Sequence, residues 1–189
     1  DIALSRTLTE LRTSDDPRKR EEALELQALL GQWNETAVYH LEPFRLPLVT
    51  DRRTSLFGDR RRYIYADGAT ATAIHLGVDL AAPQGMTPGE FIGTPVAASG
   101  AGRVRMARYR LVTGNTVVIE HLPGLFSLYY HLEELQVSEG DEVVSGDLIG
   151  TVGATGLATG PHLHWEFRIG GVSVDPDALV RSALVDFGP

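Results

Sequence analysis

The feature that most constrains this chain is a succession of short segments rich in β-branched and aromatic residues in its second half, each followed by a glycine-containing turn. Strands of this length and regular spacing favour an antiparallel β architecture over alternating strands and helices. We expect a mainly β fold with an antiparallel sheet or sandwich core. The predicted strands cover residues 95–98, 102–109, 115–121, 125–132, 142–144, 148–152 and 162–169.

Helix signals occur near both ends of the chain. Asp16 is placed to cap a helix that has Pro17 in its first position and Gly31 just past its end. Leucines at helical spacing give this helix one apolar face, which we expect to pack against the rest of the chain: Leu26, Leu29 and Leu30. The pair Asp175-Pro176 repeats the cap-then-proline pattern and predicts a short C-terminal helix.

These signals divide the chain into two parts. We predict an N-terminal helical arm over residues 1–45 and a β-rich body over residues 46–189. Within the body, residues 59–74 are interpreted as a variable rim loop, and Arg60–Arg62 as a solvated basic cluster inside it.

Composition excludes several classes of protein. Of the 189 residues, 43% are apolar, but no apolar run approaches the roughly 18 residues that a membrane span needs. A net charge of −8 argues against nucleic-acid binding, which normally requires a basic face. The absence of cysteine rules out disulfides and thiolate ligands.

The stretch "GPHLHWEF" at residues 160–167 places two histidines on one predicted strand. Because side chains alternate between the two faces of a strand, His162 and His164 share a polar face with Glu166 and Arg168, while the opposite face is wholly apolar. Residues i and i+2 lie roughly 7 Å apart, so both imidazoles can border one metal site. A polar, solvent-exposed face is an equally good interpretation of this stretch by itself.

A second stretch, "HLGVD" at residues 75–79, contains one imidazole and one carboxylate, both of which are zinc ligands. In a straight strand His75 and Asp79 would lie about 13 Å apart, too far to bind one ion. We therefore expect a bent strand, with Gly77 permitting the bend. His75, Asp79 and one histidine of the 162/164 pair would supply three ligands, which is typical of a catalytic rather than a structural zinc site.

A further histidine, His131, ends the predicted strand in "LYYHL". Considered alone, it is best interpreted as a hydrogen-bonded structural residue. Beside a metal centre, its imidazole would be able to take a proton from the attacking water or to hydrogen-bond a developing oxyanion.

Together, "HLGVD", "YYHL" and "GATGLATGPHLHWEF" resemble the lysostaphin/LytM-type zinc metallopeptidases of family M23, which cleave peptidoglycan. The resemblance runs from about residue 52 to residue 176 and leaves out the arm. It implies the lysostaphin/LytM fold, with zinc as cofactor and the peptide cross-links or stem peptides of peptidoglycan as substrate.

The resemblance also assigns roles to individual residues. It makes His75, Asp79 and His164 the zinc ligands, and His131 and His162 the catalytic histidines, without deciding which of the two is the base. It further implies export, to the periplasm or the cell surface. We favour the periplasm because an acidic chain should not adhere to anionic wall polymers.

The sequence also allows alternatives to a peptidoglycan hydrolase. A non-enzymatic regulator of another wall hydrolase is the main alternative, although the complete ligand set argues against it. A biotinyl or lipoyl carrier fails because the only lysine, Lys19, lies in the arm. We also consider an arm that folds over the cleft as an inhibitory segment; its histidine, His40, is interpreted as a surface or packing residue.

Overall fold

The computed structural model describes residues 1–50 and 52–181, and within them the chain is mainly β. The strands are β1 (Ile2–Ala3), β2 (Arg53–Ser55), β3 (Arg60–Ile64), β4 (Thr70–Ile74), β5 (Val78–Leu80), β6 (Pro95–Ala97), β7 (Gly102–Arg110), β8 (Gly114–Leu122), β9 (Leu125–Leu135), β10 (Glu142–Val143), β11 (Leu148–Val152), β12 (Leu163–Ile169) and β13 (Val172–Val174). The helices are α1 (Arg6–Thr13), α2 (Pro17–Leu30), α3 (Pro88–Phe91) and α4 (Pro176–Arg181). Every strand predicted from the sequence is present, with bounds that agree to within three residues.

The large sheet follows the order β10-β7-β8-β9-β12-β5-β2. Strand β11 pairs with β9 and β6, and β13 pairs with β12. All of these pairings are antiparallel, which confirms the predicted architecture. A second, three-stranded sheet has the order β1-β3-β4, and its β1–β3 pair is parallel.

Strand β12 runs through the middle of the large sheet and separates two cores. Its apolar face is completely buried, as the alternation predicts, through Leu163, Trp165 and Phe167. On its polar face His164 and Glu166 are buried and Arg168 is half-buried, because Tyr130 of β9 stacks on His164 and helix α2 covers the neighbouring sheet surface. The interpretation of this face as solvent-exposed is therefore wrong.

Helix α2 has the predicted start and end. The Asp16 carboxylate accepts a hydrogen bond from the Arg18 N–H at 3.0 Å, and Gly31 follows the last turn. Leu30 is buried, and the half-buried Leu26 and Leu29 pack beside it against β7, β8 and β9. None of the helices in the described part of the chain has the length and apolar character that crossing a membrane requires.

Helix α1 was not predicted from the sequence. The division of the chain after residue 45 stays a prediction. Residue 51 and residues 182–189, which we assign to the body, lie outside the described residues. Helix α4 begins at Pro176, as predicted from the Asp175-Pro176 pair.

The prediction of a rim loop over residues 59–74 is wrong. These residues form the β3–β4 hairpin, which turns through Asp67 and Gly68, and the φ of Gly68 is 86°. An Asp-Gly pair between two β-prone segments is a strong hairpin signal, because the turn needs positive φ values. Arg61 consequently lies on a strand rather than in a solvated loop.

The chain bends sharply between β4 and β5. Gly77 lies in this bend, against β12, and a Cβ added to it would meet the Trp165 carbonyl oxygen at 2.4 Å and the Glu166 Cγ at 2.7 Å. Glycine is thus required at position 77 because β12 leaves no room for a side chain. Residues 75–79 were expected to form one bent strand, whereas the structure places His75 after β4 and Asp79 within β5.

His121 is buried in the core near the other end of the sheet. Its Nδ1 lies 2.7 Å from the Ala101 carbonyl oxygen and its Nε2 2.7 Å from the Ser127 hydroxyl. Burial lowers the pKa of His121 to about 3. His40 packs beside it and against Phe44, so the interpretation of His40 as a packing residue is confirmed.

We predict that Gly77→Ala lowers the free energy of unfolding by about 1–3 kcal/mol, the usual cost of overpacking a tight site. The matched control is Gly89→Ala, since a Cβ at Gly89 meets no atom within 4 Å. Urea unfolding of both variants measures the difference. Equal stabilities for the two variants would contradict the requirement for space at Gly77.

We also predict that His121 makes stability depend on pH. A histidine in the unfolded chain has a pKa of about 6.5, whereas His121 in the folded chain has a pKa of about 3. Between these two pH values, His121 is therefore protonated in the unfolded chain and neutral in the folded chain. The free energy of unfolding should fall by about 1 kcal/mol per pH unit from this residue between pH 6 and 5.

The measurement compares His121→Gln with the unchanged chain by urea unfolding at both pH values. All other titrating groups are common to the two proteins, so the difference between the two slopes isolates His121. If the free energy of unfolding changed equally with pH in both proteins, the pKa of His121 would not be lowered by folding, and the prediction would be wrong.

Candidate metal centre

Three predicted ligands from two distant stretches of the chain meet at one point. The His164 Nδ1 lies 2.8 Å from the Asp79 Oδ1, and the His75 Nε2 lies 3.1 Å from the same oxygen. The two imidazole nitrogens are 2.9 Å apart. This convergence follows from the sheet register, which sets His164 of β12 directly opposite Asp79 of β5.

Each histidine of this cluster is oriented by a second hydrogen bond on its far side. The His75 Nδ1 donates to the Leu56 carbonyl oxygen at 2.8 Å, which leaves Nε2 to face the cluster. The His164 Nε2 donates to the Glu166 carboxylate at 2.8 Å, which directs Nδ1 inward. Such outer partners fix the tautomer and the ring orientation of metal-binding histidines.

The electrostatics of the cluster suit a cation. Burial raises the pKa of Asp79, but the polar contacts of its carboxylate with His164 and His75 outweigh burial and hold the pKa well below its usual range. Burial lowers the pKa of His164, yet its hydrogen bonds to Asp79 and Glu166 raise it overall to about 9. The buried carboxylates therefore attract positive charge to this point, and a metal ion would displace the proton on His164.

The donor set fits a divalent transition metal. All three donor atoms are nitrogen or carboxylate oxygen, and they lie within 4.8 Å of one another. Three protein donors leave coordination positions open for water and substrate, as in catalytic sites. The same three residues were predicted from the sequence, and the structure brings them together.

The other two predicted histidines lie beside this cluster. The rings of His131 and His162 are 4.9 Å apart between centroids, and the His162 Nε2 is 3.8 Å from the Asp79 Oδ1. Their Nδ1 atoms donate to the carbonyl oxygens of Thr155 and Gly160, each at 2.8 Å. Both rings consequently keep an unprotonated Nε2, which is the form that accepts a proton.

Burial keeps both imidazoles neutral. It lowers the pKa of His162, and it lowers the pKa of His131 to about 3, with the nearby His162 and His164 acting in the same direction. The structure thus provides two neutral bases within reach of the space above the metal ligands.

His131 has an unusual backbone. Its φ is 63°, and it is the one non-glycine residue with a positive φ among residues 1–50 and 52–181. Such a conformation costs of order 1–3 kcal/mol and persists only where neighbouring groups enforce it. Here the His131 N–H donates to the Thr113 carbonyl oxygen at 2.8 Å, and its ring is held by Thr155.

Sequence reasoning gave no role to two residues at the site. Glu166, which orients His164, was placed on the correct face by strand alternation, and its spacing of two from His164 was the available signal. Arg61 contacts Asp79 from the β3–β4 hairpin. A cavity of about 380 Å³ opens beside this contact and is lined by Asp1, Ile2, Thr54, Ser55, Asp59, Arg60, Arg61, Asp79 and Thr159.

Several curated proteins similar to this chain are named as endopeptidases. The chain is 42% identical over 130 residues to the DD-carboxypeptidase/endopeptidase Mpg of Neisseria meningitidis, a match that covers 69% of this chain and 27% of Mpg. It is 38% identical over 132 residues to the peptidoglycan DD-endopeptidase ShyC of Vibrio cholerae, covering 70% and 28% of the two chains. The chain thus spans about a quarter of the length of these relatives.

Solved structures agree with the fold. A crystal structure of a Pseudomonas aeruginosa protein assigned to peptidase M23 superimposes with a TM-score of 0.70 at 29% identity, covering 89% of this chain and 63% of that one. The family model of peptidase family M23 matches residues 73–176, which is more than half of the chain and includes all five predicted site residues. The chain belongs to peptidase family M23.

Proposed function

We propose that this chain is a zinc-dependent endopeptidase that hydrolyses peptide bonds in peptidoglycan cross-links or stem peptides. The observation that carries the proposal is the convergence of His75, Asp79 and His164 beside two neutral histidines. A site that only bound a metal for stability would need no pair of bases at its open side.

His75, Asp79 and His164 would hold the zinc ion. When bound, the ion polarises the scissile carbonyl and lowers the pKa of water to about 7. Asp79 contributes a buried negative charge to the site, and the outer hydrogen bonds of the two histidines keep their donor atoms pointed inward.

His131 and His162 would move protons at their Nε2 atoms. One imidazole accepts the proton of the attacking water, and an imidazolium returns a proton to the leaving amine. The imidazolium formed by that transfer can donate a hydrogen bond from its Nε2 to the oxyanion that develops on the carbonyl, before it releases the proton. Hydrogen bonds from Nδ1 to backbone carbonyls fix the orientation of both rings and leave each Nε2 available for proton transfer.

The substrate class rests on relatives that are named as peptidoglycan DD-endopeptidases, ShyC and ShyA of Vibrio cholerae. We propose that this chain cuts a bond of the same DD type, between two residues of D configuration. We further propose that it acts in the periplasm, where such a substrate is accessible.

We predict that the zinc-loaded protein releases cross-linked peptides from purified peptidoglycan and that His164→Ala abolishes this release. Removal of a ligand destroys the metal site, so zinc content should fall with activity. The measurement is mass spectrometry of soluble products, alongside metal analysis of each protein. A chelator followed by added zinc should abolish and then restore the release.

The matched control is His40→Gln, which replaces a histidine that packs against Phe44 and His121 instead of joining the cluster. It should keep both zinc and activity. A protein that holds zinc yet releases nothing from any peptidoglycan tested would contradict the proposal and support a non-enzymatic regulator.

We also predict that His131→Asn and His162→Asn each lower kcat/KM by about 10²–10⁴-fold while leaving zinc stoichiometry unchanged, because general acid–base catalysis contributes about that much. Asparagine is chosen because it tolerates the positive φ of His131. Steady-state kinetics and metal analysis of both variants provide the test. Loss of zinc from His162→Asn would instead make His162 a ligand.

A further inference from the structure

The two carboxylate oxygens of Asp79 have different neighbours. Oδ1 faces His75 and His164, the other two members of the ligand cluster. Oδ2 points away from the cluster and accepts a hydrogen bond from the Arg61 Nη2. One oxygen is thus available to a metal ion, whereas the other is occupied by a guanidinium.

Arg61 is itself fixed in place. Its side chain is only 15% exposed, and its Nε donates to the Ser55 hydroxyl at 3.2 Å. The register of β2 and β5 sets Ser55 opposite Asp79, so the hydroxyl and the carboxylate that hold the guanidinium belong to neighbouring strands. A charged group held from two sides in this way loses little further freedom when it orients a partner.

The neighbouring arginines of the same strand serve as an internal comparison. Arg60 and Arg62 are exposed and alternate with Arg61 along β3, so they project to its other face. Arg62 forms an ion pair with Asp1, away from the ligand cluster. Arg61 is the member of this triplet that contacts a predicted ligand.

We propose that Arg61 is a positioning residue for the metal centre: by holding Oδ2 of Asp79, it makes the carboxylate offer a single oxygen to the ion. A carboxylate without this partner is free to rotate and to bind through both oxygens, which would fill a coordination position that water and substrate need. This inference rests on the proposed function, because it requires that Asp79 be a metal ligand.

The test measures the metal site directly, by titrating the metal-free protein with Co²⁺. The variants are Arg61→Met, which removes the hydrogen bonds but keeps the length of the side chain, and Arg61→Lys, which retains one charged donor. Arg62→Met is the matched control. Visible absorption reports coordination number, since four-coordinate Co²⁺ absorbs more strongly than five- or six-coordinate Co²⁺.

We expect Arg61→Met to weaken Co²⁺ binding about 10–100-fold, the usual effect of removing an outer partner of a ligand. Its visible bands should also weaken as the coordination number rises. Arg61→Lys should lie between Arg61→Met and the unchanged protein, and Arg62→Met should match the latter. Thermal unfolding of the metal-free variants checks that each is folded before titration.

A Co²⁺ dissociation constant and a spectrum equal to those of the unchanged protein would overturn the proposal, even if hydrolysis of peptidoglycan fell. In that case Arg61 would act on the substrate. Tighter Co²⁺ binding with an unchanged spectrum would also overturn it, because the carboxylate would then still offer a single oxygen to the ion. Failure of the unchanged protein to bind Co²⁺ at all would instead refute the proposed function.

Discussion

The arrangement of the site depends on one constraint, the register of β12 between β5 and β9. This register sets His164 opposite Asp79 on one side and opposite Tyr130 on the other. A slip of one residue would turn His164 to the opposite face of the sheet and replace it with an apolar neighbour. The fully buried Trp165 resists such a slip, because it would have to leave the core.

Buried charge is balanced along a continuous chain of contacts through the site. Arg61 contacts Asp79, Asp79 contacts His164, His164 contacts Glu166, and Glu166 accepts a hydrogen bond from Arg168 at 2.8 Å. Positive and negative groups alternate along this chain when His164 is protonated. Removing one member would leave a buried charge without a partner, which is more costly than the loss of an exposed pair. The members of this chain of contacts therefore stabilise one another.

Helix α2 lies beside the outer end of this chain of contacts, next to Arg168. Leu26 and Leu30 line a small cavity together with Arg168, so the arm borders the outer end of the charge chain. The Arg110 side chain also donates to the Glu22 carbonyl oxygen at 2.7 Å, which ties the helix to β7. Helix α2 also packs on the sheet beside Tyr130, whose ring stacks on His164, and this packing contributes to the burial of His164 and Glu166.

The sequence was most informative where a local pattern determines the structure. Strand alternation located His164 and Trp165 on opposite faces, and the Asp16 cap located the start of α2. The pattern was insufficient where distant segments decide the outcome. Nothing local to Arg61 indicates that the β3–β4 hairpin folds towards Asp79, and the bend at Gly77 is required by β12, which lies about ninety residues further along the chain.

The positive φ of His131 has a consequence for the evolution of such a chain. The conformation opposes folding and is retained at a position that the proposed chemistry requires. A copy of the chain released from catalysis would relieve this backbone strain by replacing the histidine with glycine, which adopts the same φ without strain. Selection for activity and selection for stability therefore act in opposite directions at this residue, and the identity of residue 131 in a related chain indicates which of them has prevailed.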